Sequence, residues 1–231
     1  MNVAVIPARG GSKRIPDKNI KLFHGKPIIS YSIKLALASR MFDKVIVSTD
    51  SQRIAKVAKE FGAEVPFLRP KHLSDDFATT GDVMEHTTLW LNKNFDSVVS
   101  VCCIYATAPF IKIEDLLNAY KLYNQNKWSY VFSATKFSFP IQRALKKRKG
   151  GGIEMFQPNH FESRSQDLEE SFHDAGQFYV GSPQAWIRKE KIFLTNSEII
   201  CLPPWRVQDI DNLEDWGNAE KIYKIITAEN D

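Results

Sequence analysis

Short apolar, β-branched runs alternate along this chain with longer stretches whose apolar residues recur at helical spacing. Val3 to Ala8 predicts a strand and Pro27 through Ala38 a helix. Lys44 to Thr49 predicts a second strand, and Gln52 to Phe61 a helix in which Ile54, Ala55, Ala58 and Phe61 form one stripe. The pattern continues with a helix over Gly81 to Leu91, a strand over Ser97 to Ile104, a helix over Ile113 to Tyr123 and a strand over Tyr130 to Thr135. Strand and helix in repeated units predict an α/β fold, a three-layer α/β/α sandwich around a mostly parallel, mixed sheet. Ligands of such folds sit at the carboxyl ends of the strands.

Between about Lys136 and Asp174 the alternation stops, and the chain becomes polar and irregular. Here Lys146, Lys147, Arg148 and Lys149 precede Gly150, Gly151 and Gly152. Successive glycines supply the positive φ of tight turns, so the basic run reads as a solvated hairpin tip rather than a nucleic-acid or targeting patch. Gln177–Val180 and Glu198–Leu202 resume the core as strands, and a helix over Leu213 to Ile226 closes it. The 231 residues therefore read as one domain, 1–231, with an excursion over 136–174 inserted in it. No repeat or low-complexity segment interrupts the pattern.

Composition narrows the class. With 43% hydrophobic and 25% charged residues, the chain is neither disordered nor a fibrous or disulfide scaffold. The net charge of +4 is too small in total to imply a nucleic-acid partner, but it is concentrated: residues 1–26 carry +5 and the remainder −1. No run of ~18 apolar residues exists to span a bilayer, and the first apolar run is too short for a signal segment, so a cytoplasmic protein without a membrane partner is expected. Cys102, Cys103 and Cys201 lack metal or redox spacing and read as buried structural thiols. The five histidines show no zinc motif.

The basic front segment follows the first strand as Ile6-Pro-Ala-Arg-Gly-Gly-Ser-Lys13, with Arg14, Lys18 and Asn19 beyond. Two glycines after a strand let the backbone approach an anion, and Arg9, Lys13, Arg14 and Lys18 add charge where a triphosphate would lie. Neither the P-loop nor the dinucleotide fingerprint is present. Late in the chain, Asp209 and Asp211 flank Ile210. In extended backbone they project to one side and can share a hard cation such as Mg²⁺. Asp211 or Asn212 could instead cap the following helix, as Asp50 could cap the helix after it.

Together these segments resemble the cytidylyltransferase family that joins CTP to nine-carbon or eight-carbon acidic sugars. The likeness spans almost the whole chain: the Ile6–Lys13 segment with Lys18-Asn19, then Val47-Ser-Thr-Asp50, Leu68-Arg69-Pro70 and Asp209-Ile-Asp211, in order. The resemblance implies a nucleotide-diphospho-sugar transferase fold and a Mg²⁺-dependent attack of the sugar C2 hydroxyl on the CTP α-phosphate. It implies that Arg9 and Lys18 hold the CTP phosphates, with Ala8, Gly10, Ser12, Lys13 and Asn19 lining that loop. Arg69 and Thr80 would lie by the cytidine, and Asp209 and Asp211 would take the metal.

Two segments distinguish branches of the family. Ile104-Tyr-Ala-Thr-Ala-Pro109 and His173-Asp-Ala-Gly-Gln177 depart from the sialic acid pattern and are similar to the pseudaminic acid branch. By that likeness Tyr105, Thr107, His173 and Gln177 contact the sugar; the carboxylate of such a sugar needs a cationic contact, for which Arg143 and Arg164 in the irregular segment are candidates. Val180 stands where this branch is expected to carry Trp. Each of these residues has a plainer reading: Tyr105 and Phe110 as core aromatics, Gln177 as a strand-edge amide, His173 and the arginines as solvated. Residues 136–174 resemble the family's dimerisation arm, so a homodimer is expected. The alternatives are the same reaction on sialic or legionaminic acid, and a nucleotidyltransferase acting on a sugar 1-phosphate.

Overall fold

In the computed structural model, which describes residues 1–228, β1 (Asn2–Pro7) leads through a ribbon of β2 (Leu22–Phe23) and β3 (Lys26–Pro27) into α1 (Ile29–Ser39). There follow β4 (Lys44–Ser48), α2 (Gln52–Glu60), α3 (Thr80–Asn94), β5 (Ser100–Ile104), α4 (Ile113–Tyr123) and β6 (Tyr130–Lys136), in the order the hydrophobic pattern predicts. A hairpin of β7 (Leu145–Lys147) and β8 (Ile153–Met155) projects next. Then β9 (Phe172–Gly181), α5 (Pro183–Ile187), β10 (Ser197–Leu202) and α6 (Leu213–Ala228) complete the chain. Among the described residues no helix is long and apolar enough to cross a membrane.

Six strands form one sheet in the order β10-β6-β9-β5-β1-β4. The pairs β1–β4, β1–β5 and β10–β6 are parallel, while β9 runs antiparallel between β5 and β6. Both faces are covered, so the central strands are apolar throughout. Ala4, Ile6, Cys102 and Ile104 enter the layer of α1, α2 and α4, whereas Val3, Val5, Val101 and Cys103 enter the layer of α3 and α5. Alternation of side chains along a strand makes this division automatic. A third cluster sets α6, through Trp216 and Ala219, against Phe23, Ile28, Phe110, Ile210 and Ile15.

Several expectations need correction. The strand expected at Gln177–Val180 begins at Phe172, because the chain leaves β6 and returns directly beside it as one long hairpin. Phe132 faces Tyr179 while Ala134 faces Asp174, so β9 bulges between these pairs, and Gly176 within the bulge has φ of 60°. Cys102 and Cys103 are buried as expected, but Cys201 is exposed, because β10 is an edge strand. The β2–β3 ribbon was not anticipated, although His24-Gly25 at φ of 45° and 77° is a recognisable two-residue turn. The glycines after the basic run do form a hairpin tip, with Gly151 and Gly152 at φ of 94° and 81°. Val180 is fully buried in the α1/α2/α4 layer, so an indole here would need that layer rebuilt.

Gly181 ends β9 where a side chain has no room. A Cβ there would lie 2.6 Å from the Tyr130 ring and 2.7 Å from Trp186 Nε1, which donates to the Val101 carbonyl at 2.9 Å. Gly181→Ala should therefore lower stability by about 1–3 kcal/mol, seen as a reduced urea midpoint with an unchanged m value.

Candidate functional site

Within the sheet β4 pairs on one side of β1 and β5 on the other, so the chain reverses its winding at the carboxyl end of β1. Open α/β sheets bind ligands at such a switch point. A cleft of about 580 Å³ opens there. Its walls come from the loop after β1, the ends of β5, Arg69 and the start of α3.

The loop after β1 is held from below. Ile15 is fully buried, and Asn19, itself buried, donates from Nδ2 to the Arg9 carbonyl at 2.9 Å. The Gly10 amide donates to Asp50 Oδ1 at 2.9 Å. A Cβ on Gly10 would come within 3.0 Å of Ser51 Cβ, so glycine permits this approach. Asp50 therefore braces the loop, while Ser51 caps α2 by accepting from the Ile54 amide. The guanidinium of Arg69 is buried 4.0 Å from Asp50, with Nη1 donating to the Ser48 carbonyl and Nε to Ser74 Oγ, each at 3.1 Å. Burial pushes its pKa down, against the opposing charge of Asp50.

The four loop cations all meet carboxylates. Arg9 lies 3.0 Å and Lys13 2.5 Å from Asp76, on the segment before α3, which no motif in the sequence marks. Arg14 makes a bidentate pair with Asp211 at 2.7 and 2.8 Å. Lys18 donates to the Ile210 carbonyl at 2.7 Å and lies 3.5 Å from Asp211. The front loop and the late acidic segment thus meet across nearly the whole chain length. Lys13 stabilises ionised Asp76 by hydrogen bond and charge, holding its pKa down.

Ile210 is buried, so Asp209 and Asp211 emerge on either side of it. Capping of α6 falls to Asn212, which accepts from the Glu214 and Asp215 amides, and to Asp215, which accepts from those of Asp211 and Asn212. The Asp211 side chain is left facing the loop. Among the described residues no donor reaches the Asp209 carboxylate, and desolvation followed by the charge of Asp211 pushes its carboxyl up. Among the described residues no cluster of three or more metal-binding side chains occurs. Two carboxylates fit a hard cation whose other ligands are phosphate oxygens and water, the ordinary manner of binding Mg²⁺.

The segment carrying these carboxylates is anchored by Arg206. This buried guanidinium pairs with Asp115 at 2.6 and 2.9 Å, and the Arg206 carbonyl accepts from Gln177 Nε2 at 2.6 Å. The Gln177 backbone carbonyl in turn accepts from the Tyr105 backbone amide at 2.8 Å. Tyr105 and Thr107 line the cleft, as do Ala8, Arg9, Ser12, Lys13, Lys18, Asn19, Arg69 and Thr80. Other predicted residues lie elsewhere. His173 is exposed against the Phe137 ring, Arg143 donates to Ser165 Oγ at 3.3 Å, and Arg164 pairs with Asp167 at 2.8 Å. None of these three reaches the cleft of its own chain.

Comparison with known proteins agrees with this architecture. A family model described as cytidylyltransferase matches residues 3–149. Pseudaminic acid cytidylyltransferase of Campylobacter jejuni subsp. jejuni serotype O:2 is 45% identical over 224 residues, 97% of each chain. CMP-N,N'-diacetyllegionaminic acid synthase of Legionella pneumophila subsp. pneumophila is 32% identical over 96% of each. The solved structure of a CMP:2-keto-3-deoxy-manno-octonic acid synthetase complexed with CTP superposes with a TM-score of 0.69 at 15% identity, covering 96% of this chain and 98% of that one.

Removing one member of the Arg206–Asp115 pair leaves a buried charge without its counterion. Arg206→Ala should lower stability by about 3–5 kcal/mol in chemical denaturation. The paired replacement Arg206→Met with Asp115→Leu should lower it by clearly less.

Proposed function

The chain belongs to the cytidylyltransferase family, and from that membership we propose that it joins CTP to pseudaminic acid, giving CMP-pseudaminic acid and pyrophosphate. The observation that carries this reading is the 45% identity, over 97% of each chain, with the pseudaminic acid cytidylyltransferase of Campylobacter jejuni. Fold likeness alone supports only the general class.

The oxygen of the sugar C2 hydroxyl attacks the α-phosphorus, the bond to the bridging oxygen breaks, and pyrophosphate leaves. The protein's part is positioning and charge. Arg9 and Lys18 take phosphate oxygens, with Lys13 and the Gly10–Ser12 backbone beside them. A triphosphate replaces carboxylates at these cations, one anion for another, so the loop binds without first stripping water from bare charges. Arg69 and Thr80 face the nucleoside, and Tyr105 and Thr107 face the sugar, whereas Gln177, expected to contact the sugar, is buried behind them with its amide on the Arg206 carbonyl and acts only by positioning. Asp209 and Asp211 would hold Mg²⁺, which supplies charge neutralisation at the phosphates when bound. A cytoplasmic setting matches CTP as a substrate.

Residues 136–174 act as a dimerisation arm. The reading is supported by Phe139, Phe156, Phe161 and Ile153, apolar side chains that the arm leaves exposed. Arg143, Arg164 and His173 then serve a partner subunit's sugar pocket, which accounts for their distance from their own cleft.

Pyrophosphate release from CTP, measured with pseudaminic, sialic, legionaminic and eight-carbon acids in parallel, should give the highest kcat/KM for pseudaminic acid. A higher value for another acid, or turnover of a sugar 1-phosphate in its place, overturns the assignment. In the same assay Asp211→Asn should abolish release while circular dichroism stays that of the wild type. Light scattering should give about twice the chain mass of 26.4 kDa, and a monomer that turns over at full rate would remove the arm from its role.

A further inference from the structure

Two carboxylates hold the cations of the front loop, and they differ in standing. Asp211, with Arg14 and Lys18, belongs to the pair that fits a metal. Asp76 does not. Arg9 Nη1 donates to the Asp75 carbonyl at 2.6 Å and lies 3.0 Å from Asp76 Oδ1, while Lys13 Nζ donates to Asp76 Oδ2 at 2.5 Å. Asp75 and Asp76 both line the cleft, so the carboxylate lies where an anion would approach these two bases. Lys13 and then Arg9 hold the Asp76 carboxyl down, which keeps it ionised.

The segment carrying Asp76 is fastened at its ends. Ser74 Oγ accepts from Arg69 Nε and donates to the Pro70 carbonyl, each at 3.1 Å, and Thr79 begins α3 in a capping box with Asp82. Between them the hydrogen bonds are local: Asp75 Oδ1 accepts from the Phe77 and Ala78 amides at 2.9 and 2.8 Å. Phe77, the large apolar residue of the turn, is 89% exposed and anchors nothing. The contacts that draw Asp76 over the loop are therefore its pairs with Arg9 and Lys13, and exposed ion pairs of this kind are weak enough to exchange.

We infer that Asp76 is an internal competitor for the subsite of the leaving pyrophosphate, a residue that limits how tightly the β- and γ-phosphates are held. The inference rests on the reading of the cleft as a CTP site. Asp211 marks the metal end of the loop, where the α-phosphate reacts; Arg9 and Lys13 lie at the other end and take the phosphates beyond it. Four bases without a counterion would retain a polyphosphate after its bond to the α-phosphorus has broken. With Asp76 in place, a phosphate oxygen reaching Arg9 or Lys13 displaces a carboxylate oxygen or binds against its charge. When pyrophosphate departs, the carboxylate returns. A ligand with a single phosphate stops short of these bases and displaces nothing, so Asp76 acts on pyrophosphate and CTP and leaves CMP untouched. A carboxylate that merely oriented Arg9 and Lys13 would have the opposite effect, because its loss would weaken phosphate binding.

Calorimetric binding of pyrophosphate, CTP and CMP to the full chain, with and without Mg²⁺, reads this sign. Asp76→Asn should bind pyrophosphate about fivefold more tightly than the wild type and CTP by a similar factor, with CMP unchanged. The gain should shrink as salt is raised, since exposed charges are screened. Asp76→Ala repeats the test without the hydrogen bonds an asparagine retains, and Asp76→Glu, which keeps the charge, should return toward wild-type affinities. Asp76 is exposed, so circular dichroism of all three should match that of the wild type. Equal or weaker pyrophosphate binding in both Asp76→Asn and Asp76→Ala overturns the proposal, as does a gain that extends equally to CMP. A wild-type chain that binds no CTP overturns the reading of the site instead.

Discussion

A guanidinium inside a protein has to be neutralised where it lies, and much of this molecule is arranged around meeting that demand for Arg206. Its partner, Asp115, sits in the first turn of α4, so the segment after β10 is drawn across the ends of the central strands. Everything downstream inherits the position. Ile210 drops into the cluster beneath α6, the two flanking aspartates emerge above it, and Lys18 finds the Ile210 carbonyl. The Arg206 carbonyl also fixes the amide of Gln177, linking the acidic segment to the bulge of β9. Such a pair contributes less through net attraction than through the arrangements it forbids, since a buried charge tolerates few other placements.

The same logic operates at a gentler level around the front loop. Asp50 lies between the Gly10 amide and the Arg69 guanidinium, so one carboxylate restrains two walls of the cleft. Asp76 and Asp211 occupy its rim and divide the loop's cations between them. The loop's positive charge is thus partly neutralised by the chain's own carboxylates. Lys18 is held inward by these contacts, whereas Lys13 and Arg14 meet their carboxylates at the exposed rim.

What the sequence makes legible follows the range of the interactions. The strands of the sheet are read from local apolar runs because both faces are covered, and α4 is recovered at both ends from periodicity alone. The front loop is legible because phosphate chemistry needs glycines and bases close together in the chain. Asp50 is legible as part of the Val47–Asp50 motif or as a helix cap, but its bracing of Gly10 is not, since that contact depends on β1 and β4 lying side by side. Asp75 and Asp76 were invisible for the same reason: their meeting with Arg9 depends on how the segment before α3 folds back. The antiparallel entry of β9 and its bulge carry no local signature, because the register against β6 is set by the whole hairpin.

That hairpin gives the arm a particular mechanical status. Its two ends leave and re-enter adjacent strands, about 5 Å apart, so none of the sheet's helical crossovers passes through it. Lengthening such an excursion adds loop-closure entropy only logarithmically. The excursion behaves as a cassette plugged into a fixed socket: it can be lengthened or shortened without altering the connections of the sheet or the geometry of the cleft at the end of β1.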